Sequence, residues 1–157
     1  MSEEPAGGAG PLEVRGLEAF APYLINRISA RYNADLAAVL REQGLTTAQM
    51  RALAVLAVHP GLTINALAIY AVMEQSTMSR TVDAMAEAGL VERRGRDGDA
   101  RVREVVLTDA GRAAFDGVWP LMNAAEQRML EGLSEAERPA FVAALRTVLH
   151  AIRKHDF

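Results

Sequence analysis

The chain has 157 residues, of which 50% are hydrophobic and only 5% aromatic, and its formal net charge is -3. This length is sufficient for one hydrophobic core, and a composition rich in alanine and leucine favours helices. The absence of cysteine excludes disulfides, zinc–thiolate sites and thiol-based redox sensing.

The sequence carries no signal for a membrane or for export. Its longest apolar runs, such as Ala52–Val58, are far shorter than the roughly 18 residues that a membrane-spanning helix needs. No charged and then apolar leader opens the chain. We therefore expect a cytoplasmic protein without a membrane partner.

The N-terminal part divides into a tail and a long helix. Residues 1–12 are rich in glycine, alanine and proline and contain too little apolar surface to order themselves, which predicts a flexible tail. From Val14 to Leu40, apolar residues recur at helical spacing. Pro22 removes one backbone donor from this pattern and is expected to kink or restart the helix.

The next segment predicts a helix-turn-helix. A second helix begins after Thr46 or Thr47, whose hydroxyls suit an N-cap, and ends before Pro60. A short helix capped by Thr63 follows, and after a brief break another helix runs to Gly89.

The last of these helices has one apolar face and one polar face. The apolar face, which is expected to pack, consists of Met78, Val82 and Met85. The polar face, which is expected to meet solvent or a ligand, consists of Ser76, Arg80, Asp83 and Glu87. Asp83 is expected to hold Arg80 through an i,i+3 ion pair. Donors and acceptors at the start of such a helix suit base edges in the major groove.

Beyond Gly89 the apolar period falls towards 2, which predicts a β-hairpin with the polar tip GRDGDA. Five arginines lie between residues 93 and 103. Even in an acidic chain, such a local cluster forms a basic patch, because screening limits the reach of each charge to about 8–10 Å.

Two further helices are predicted at the C-terminal end. Thr108 caps the first, which Pro120 is expected to kink or interrupt. Ser134 to Glu137, with the sequence SEAE, form a capping box that opens the last helix, to about Lys154.

Three segments together resemble the winged helix-turn-helix core of the multiple-antibiotic-resistance regulator (MarR) family. They are LTTAQMRALAVLAVHPGLTINALA, EQSTMSRTVDAMAEAGLVERR and DGDARVREVVLTDAG. The resemblance implies a mainly α fold, with a small β-hairpin wing and flanking N- and C-terminal dimerisation helices. It implies one domain over 13–157, with a DNA-binding core at 45–109 and dimerisation helices at 13–44 and 110–157.

The resemblance also implies a function and its residues. It implies a homodimeric, ligand-responsive repressor that binds a pseudo-palindromic double-stranded operator and responds to a small anionic or phenolic effector. Asp99 and Arg101 match the D-x-R of the family wing, whose arginine enters the minor groove. The expected DNA contacts are Thr63, Gln75, Ser76, Thr77, Ser79, Arg80, Arg94, Arg96, Asp99 and Arg101.

Some assignments stay open at this point. Arg96 and Arg103 either contact phosphate or balance Asp97 and Glu104. An effector pocket is expected between the long first helix and the DNA-binding core, with Tyr32 or Arg31 facing an anion. No pattern predicts a metal site, a cofactor or an enzyme. The alternative function is a winged-helix protein-interaction module without DNA binding.

Overall fold

The computed structural model describes residues 10–96 and 99–155, without the side chains of residues 99 and 100. Most of the predicted N-terminal tail, residues 1–9, therefore lies outside the described residues. Within them the fold is mainly helical with one two-stranded antiparallel hairpin, which confirms the predicted fold class. No helix of this described part is long and apolar enough to cross a membrane.

The long N-terminal helix is divided near its start. Helix α1 spans Leu12–Arg15, a 3-10 turn spans Leu17–Ala19, and α2 spans Ala21–Glu42. Pro22 lies in the first turn of α2, where its missing N–H costs no helical hydrogen bond. The proline therefore restarts the helix, which is one of the two outcomes expected for it. The helical pattern that begins at Val14 is interrupted before α2.

Three helices form the helix-turn-helix region: α3 spans Thr47–Val58, α4 spans Ile64–Tyr70 and α5 spans Gln75–Glu87. Thr46 is the N-cap of α3, because its hydroxyl accepts a hydrogen bond from the backbone N–H of Gln49 at 3.1 Å. The Gln49 side chain accepts one from the backbone N–H of Thr46 at 2.9 Å, which completes a capping box.

The other predicted helix boundaries in this region are also confirmed. The Thr63 hydroxyl accepts a hydrogen bond from the backbone N–H of Ala66 at 3.2 Å and caps α4. Gly89 follows α5 with a φ of 73°, a left-handed conformation that glycine adopts at little cost. His59 is the C-cap residue of α3 and stacks on Tyr70.

The hairpin consists of β1, Val91–Arg96, and β2, Asp99–Leu107. The backbone N–H of Val105 also donates to the carbonyl of Leu62 at 2.8 Å, in an isolated antiparallel bridge. The loop before α4 is thereby attached to the inner strand of the wing, a contact that the sequence pattern did not predict.

Side chains from α3, α4, α5 and the hairpin form the main core, and they include the predicted face Met78, Val82 and Met85. A second, smaller cluster joins α2 and α3 to the following helix α6, Asp109–Met129. Its buried members are Leu36, Leu40, Met50, Val118 and Ala125.

Helix α6 begins as predicted but is not interrupted. The Thr108 hydroxyl accepts a hydrogen bond from the backbone N–H of Gly111 at 3.0 Å, which confirms the cap. Of the two outcomes expected at Pro120, a kink or an interruption, the interruption is wrong, because α6 is helical through that residue. Val118 and Ala125 are buried on either side of the proline, and this packing offsets the loss of one backbone hydrogen bond.

The last helix, α7, spans Glu137–Ile152 and differs from the predicted capping box. The Glu137 carboxylate accepts hydrogen bonds from the backbone N–H and the hydroxyl of Ser134, at 2.8 and 2.6 Å. These bonds lower the pKa of Glu137. The Ser134 hydroxyl donates instead of accepting, so only half of the box forms and α7 begins at Glu137.

Candidate nucleic-acid interface

The start of α5 presents the polar surface that the sequence predicts. Gln75, Ser76, Thr77 and Arg80 are exposed, and Ser79 is half-buried. Their positions follow from the burial of the opposite face, where Met78 and its neighbours enter the core. A continuous row of uncharged donors and acceptors, with one cation, is therefore available at the front of this helix.

Glu74 and Thr63 differ in whether their side chains are available for a contact. Glu74, the N-cap of α5, is exposed and its side chain makes no capping hydrogen bond. It is not among the contacts expected from the sequence, although it directly precedes Gln75. Thr63, which was included, is half-buried and its hydroxyl is already engaged as the cap of α4.

The predicted ion pair between Arg80 and Asp83 is wrong. The Asp83 carboxylate instead accepts a hydrogen bond from Arg93 of β1, at an Nη2–Oδ1 distance of 2.5 Å. The Nε of Arg80 donates to the carbonyl of Ser76 at 3.3 Å. The chain reverses at Gly89, which brings β1 back along α5 and places Arg93 beside Asp83. This pair therefore joins the wing to α5.

Further ion pairs lie within the wing. Arg94 pairs with Glu92 two residues earlier on the same strand, and the Nε of Arg96 lies 2.5 Å from Oε1 of Glu104 on the facing strand. Arg103 is exposed. In the described part of the hairpin, Arg96 therefore contacts Glu104, one of the two acids expected to balance it. The other acid, Asp97, lies outside the described residues.

The D-x-R pattern lies at the beginning of β2. The backbone of Asp99 pairs with that of Arg96 in the hairpin register, and the side chain of Asp99 lies outside the described residues. Arg101 is exposed two residues further along the strand, opposite the register irregularity between Gly95 and Arg96. The pattern therefore lies at the end of the hairpin that is furthest from the core.

Two arginines of the wing, Arg94 and Arg96, can exchange a carboxylate for a phosphate. They are 66% and 54% exposed, and exposed ion pairs contribute only about 0–1 kcal/mol. A phosphodiester of DNA carries one negative charge, like a carboxylate, and offers a guanidinium the same bidentate geometry. The energetic cost of replacing a carboxylate by a phosphate at these positions is correspondingly small.

A separate cavity of about 530 Å³ lies between α2 and α6. Arg31 and Tyr32, the two predicted effector contacts, both line it. This cavity is bounded by the two flanking helices and not by the DNA-binding region, so its position differs from the one expected for the effector pocket. Its complete lining is Arg27, Ile28, Arg31, Tyr32, Asp35, Ala125, Arg128 and Met129.

The charges of this cavity favour an anion. Three arginines and one aspartate line it, and Arg31 pairs with Asp35 at 3.2 Å. Burial, together with nearby Glu126, raises the pKa of Tyr32, so its hydroxyl stays protonated at neutral pH and can donate a hydrogen bond. Sequence reasoning missed Arg27 and Asp35, although both lie four residues from Arg31 on one side of α2.

The comparisons with known proteins agree with this architecture. The model of the MarR family matches residues 43–102. A MarR family transcriptional regulator of known structure from Silicibacter pomeroyi is 48% identical, with a TM-score of 0.86 over 94% of this chain and 100% of that one. The protein belongs to the MarR family.

Two repressors are more distant relatives of this MarR family protein. The repressor IacR of Pseudomonas putida is 27% identical over 85% of this chain and 80% of its own length. The repressor Rv2887 of Mycobacterium tuberculosis is 30% identical over 80% of this chain and 92% of its own length. The resemblance drawn from the sequence is confirmed: the chain is a winged helix-turn-helix DNA-binding regulator of transcription.

Proposed function

We propose that this MarR family protein is a cytoplasmic, ligand-responsive repressor that acts as a homodimer on a pseudo-palindromic operator. The observation that carries the proposal is the exposed polar row at the start of α5, joined to an arginine-rich wing by Asp83 and Arg93. A helix of this kind fits the major groove, and a wing beside it reaches the adjacent minor groove.

Each part of the interface then has a chemical role. Gln75 is suited to adenine, since its side chain offers bidentate hydrogen bonds to that base, and the guanidinium of Arg80 is suited to a backbone phosphate. Arg101 enters the minor groove, where negative potential is concentrated and a guanidinium is more easily dehydrated than an ammonium. The full set of contacts is Thr63, Gln75, Ser76, Thr77, Ser79, Arg80, Arg94, Arg96, Asp99 and Arg101.

The flanking helices support the dimer. Helix α7 has no buried residue in the single chain, and Val142, Leu145 and Leu149 are exposed along one side of it. Apolar side chains of α1 and of the first half of α2 are exposed as well. A dimer that buries both sets and binds two half-sites one turn of DNA apart requires a spacing of about 34–36 Å between its two α5 helices. The division into a core at 45–109 and dimerisation helices is part of this proposal.

The cavity between α2 and α6 supports an effector of one chemical class. Its three arginines favour a carboxylate, while Ile28 and Met129 provide apolar contacts for a ring. The relative Rv2887 has been solved in complex with p-aminosalicylic acid, at 27% identity and a TM-score of 0.70. We therefore expect a small aromatic acid. By preferring one spacing of the two α5 helices, it would lower operator affinity through a population shift.

The DNA-binding part is tested by selecting bound genomic fragments without prior choice of sequence. We expect specific fragments, and an affinity that falls steeply as salt rises because bound phosphates release counterions. Arg101→Ala should weaken binding without changing the oligomeric state or the melting temperature. A protein that retains no DNA even at low salt would be the protein-interaction module instead.

The effector part is tested with matched variants of α2. Salicylate should raise the melting temperature of the wild type and reduce operator binding. Arg27→Gln removes a cavity charge and should weaken both effects, whereas Arg41→Gln changes an exposed arginine of the same helix outside the cavity. Equal responses of the two variants would contradict the assignment of the cavity.

A further inference from the structure

A further depression lies between the start of α3 and the side of α5. Its volume is about 250 Å³, and its lining is Thr46, Gln49, Thr77, Arg80, Thr81 and Ala84. We propose that this depression holds one phosphate of the DNA backbone, with Thr46 and Gln49 at the start of α3 as contacts in addition to those of α5. The inference rests on the proposed docking of α5 in the major groove.

The depression combines a mostly apolar surface with polar groups at its edge. Five of its six side chains carry a polar group, one of these is a cation, and none is an acid. This composition differs from that of the wing, where each arginine pair brings a carboxylate into the surface. A lining that offers donors and a positive charge without a competing carboxylate suits an oxyanion.

The hydrogen bonds within the depression leave its donors available. The Gln49 side chain uses its oxygen to accept from Thr46, so its amide nitrogen keeps two N–H groups for a ligand. The Thr46 hydroxyl accepts from the backbone of Gln49 and still has its own proton to donate. Arg80 uses Nε on the Ser76 carbonyl, and the terminal nitrogens of the guanidinium can meet an oxyanion.

Thr81 has a different role in the same place. It is only 9% exposed, and its hydroxyl donates to the carbonyl of Thr77 at 2.9 Å. Thr81 therefore forms the floor of the depression, while Thr77 and Arg80 stand at the exposed side of α5 and Thr46 at the exposed start of α3. Because the Thr81 hydroxyl is already engaged, the bottom of the depression is apolar, and the available donors lie at its edge.

The position of the depression favours a backbone phosphate over a small-molecule ligand. A helix in the major groove has a row of phosphates along each side, and phosphate contacts set the register of the protein on the duplex. The depression lies on the flank of α5, next to the row that faces the bases, and most of its lining residues are exposed. An open surface of this kind can hold one phosphate while the rest of the duplex passes over it.

Gln49→Glu provides a variant that separates fold from binding. Glutamate keeps the oxygen that accepts from the backbone of Thr46, and it is a preferred residue at this position of a capping box. It removes both amide donors and adds a negative charge. We expect an unchanged or slightly higher melting temperature and an operator affinity at least about ten-fold lower, as for loss of a charge-assisted hydrogen bond.

Gln127→Glu is the matched control, because it makes the same charge change on α6, where the side chain accepts from Arg138. It should bind the operator like the wild type. Single uncharged methylphosphonate linkages, placed along the operator, then locate the phosphate. At one position in each half-site, the methylphosphonate should weaken the wild type but relieve the defect of Gln49→Glu.

The outcomes distinguish this inference from the proposed function. If the wild type binds no DNA, the proposed function fails. If the wild type binds and Gln49→Glu binds equally well, or if its defect is the same at every methylphosphonate position, the phosphate site alone is overturned. Inorganic phosphate that bound the DNA-free wild type at micromolar concentration, but not Gln49→Glu, would also overturn it in favour of a free oxyanion ligand.

Discussion

The helix-turn-helix region and the flanking helices differ in where they place their apolar side chains. Leu53, Leu67 and Val82 have no exposed surface, whereas Leu145 and Leu149 of α7 are 42% and 59% exposed. The first region completes its core within one chain. The second buries part of its apolar surface in the smaller cluster with α3 and exposes the rest, above all on α7. The DNA-binding region is therefore closed within one chain, whereas the flanking helices keep an apolar surface that a partner can cover.

The sharpest test of this difference is to charge the exposed side of α7. Leu145→Arg with Leu149→Arg should give a monomer and reduce operator affinity at least about 100-fold, because two linked half-site contacts exceed one by roughly 10²–10⁴. Sedimentation and gel shift measure the two effects. Thr147→Arg with Ala151→Arg, two residues further in each case and thus on the other side of the helix, is the control. A dimer that survives the first pair would place the interface elsewhere.

The same substitution in the two regions should act through different equilibria. Leu53→Ala creates a cavity in the closed core and should lower the free energy of unfolding by about 2–5 kcal/mol, with no change in the dimer dissociation constant. Leu145→Ala should chiefly raise the dimer dissociation constant, so that the dimer separates into monomers at a higher protein concentration in a dilution series. Equal behaviour of the two variants in denaturant and dilution series would remove the distinction between the regions.

The junction of the two regions depends on one glycine. A Cβ on Gly111 would lie 1.9 Å from the carbonyl oxygen of Leu90, so α6 approaches the end of the helix-turn-helix too closely for alanine. Gly111→Ala should cost about 1–3 kcal/mol or more in thermal unfolding. Gly117→Ala, in the same helix and with nothing within 4 Å, should stabilise by about 0.5–1 kcal/mol. A harmless Gly111→Ala would contradict the close packing.

Within the DNA-binding region, the ion pair between Asp83 of α5 and Arg93 of the wing should affect the orientation of the wing more than the stability of the fold. Asp83→Asn should lower operator affinity several-fold, while the free energy of unfolding changes by less than about 1 kcal/mol. Glu92→Gln breaks a pair contained in one strand, which cannot orient the wing relative to α5. Fluorescence anisotropy with operator DNA compares the two variants, and equal affinities would argue against a role of Asp83 in positioning.

The smallest expected effect concerns Tyr32 in the flanking region. Burial and Glu126 raise its pKa above the usual 10.0, so the folded protein binds this proton more tightly than the unfolded chain does. The resulting stability is present below pH 10 and is lost as the pH rises through the folded pKa. Above pH 10, urea midpoints of the wild type should fall more steeply than those of Tyr32→Phe. Parallel curves would show that this phenol is not coupled to folding.

The sequence by itself determined the order of the elements and the side of α5 that packs. Thr63, Thr108 and Gly89 mark boundaries that the structure confirms, because capping and left-handed turns depend on residues only a few positions apart. The family pattern, carried by local motifs in a fixed order, was readable for the same reason. The polar row from Gln75 to Arg80 was predictable because helical periodicity separates it from Met78.

Only the tertiary structure decided which distant residues meet. Asp83 had a plausible local partner in Arg80, and the reversal of the chain at Gly89 supplied Arg93 instead. The cavity between α2 and α6 and the depression beside Gln49 are each formed by two helices far apart in the chain. Such contacts depend on how whole faces pack, and a periodic pattern specifies that a face is buried without specifying what lies against it.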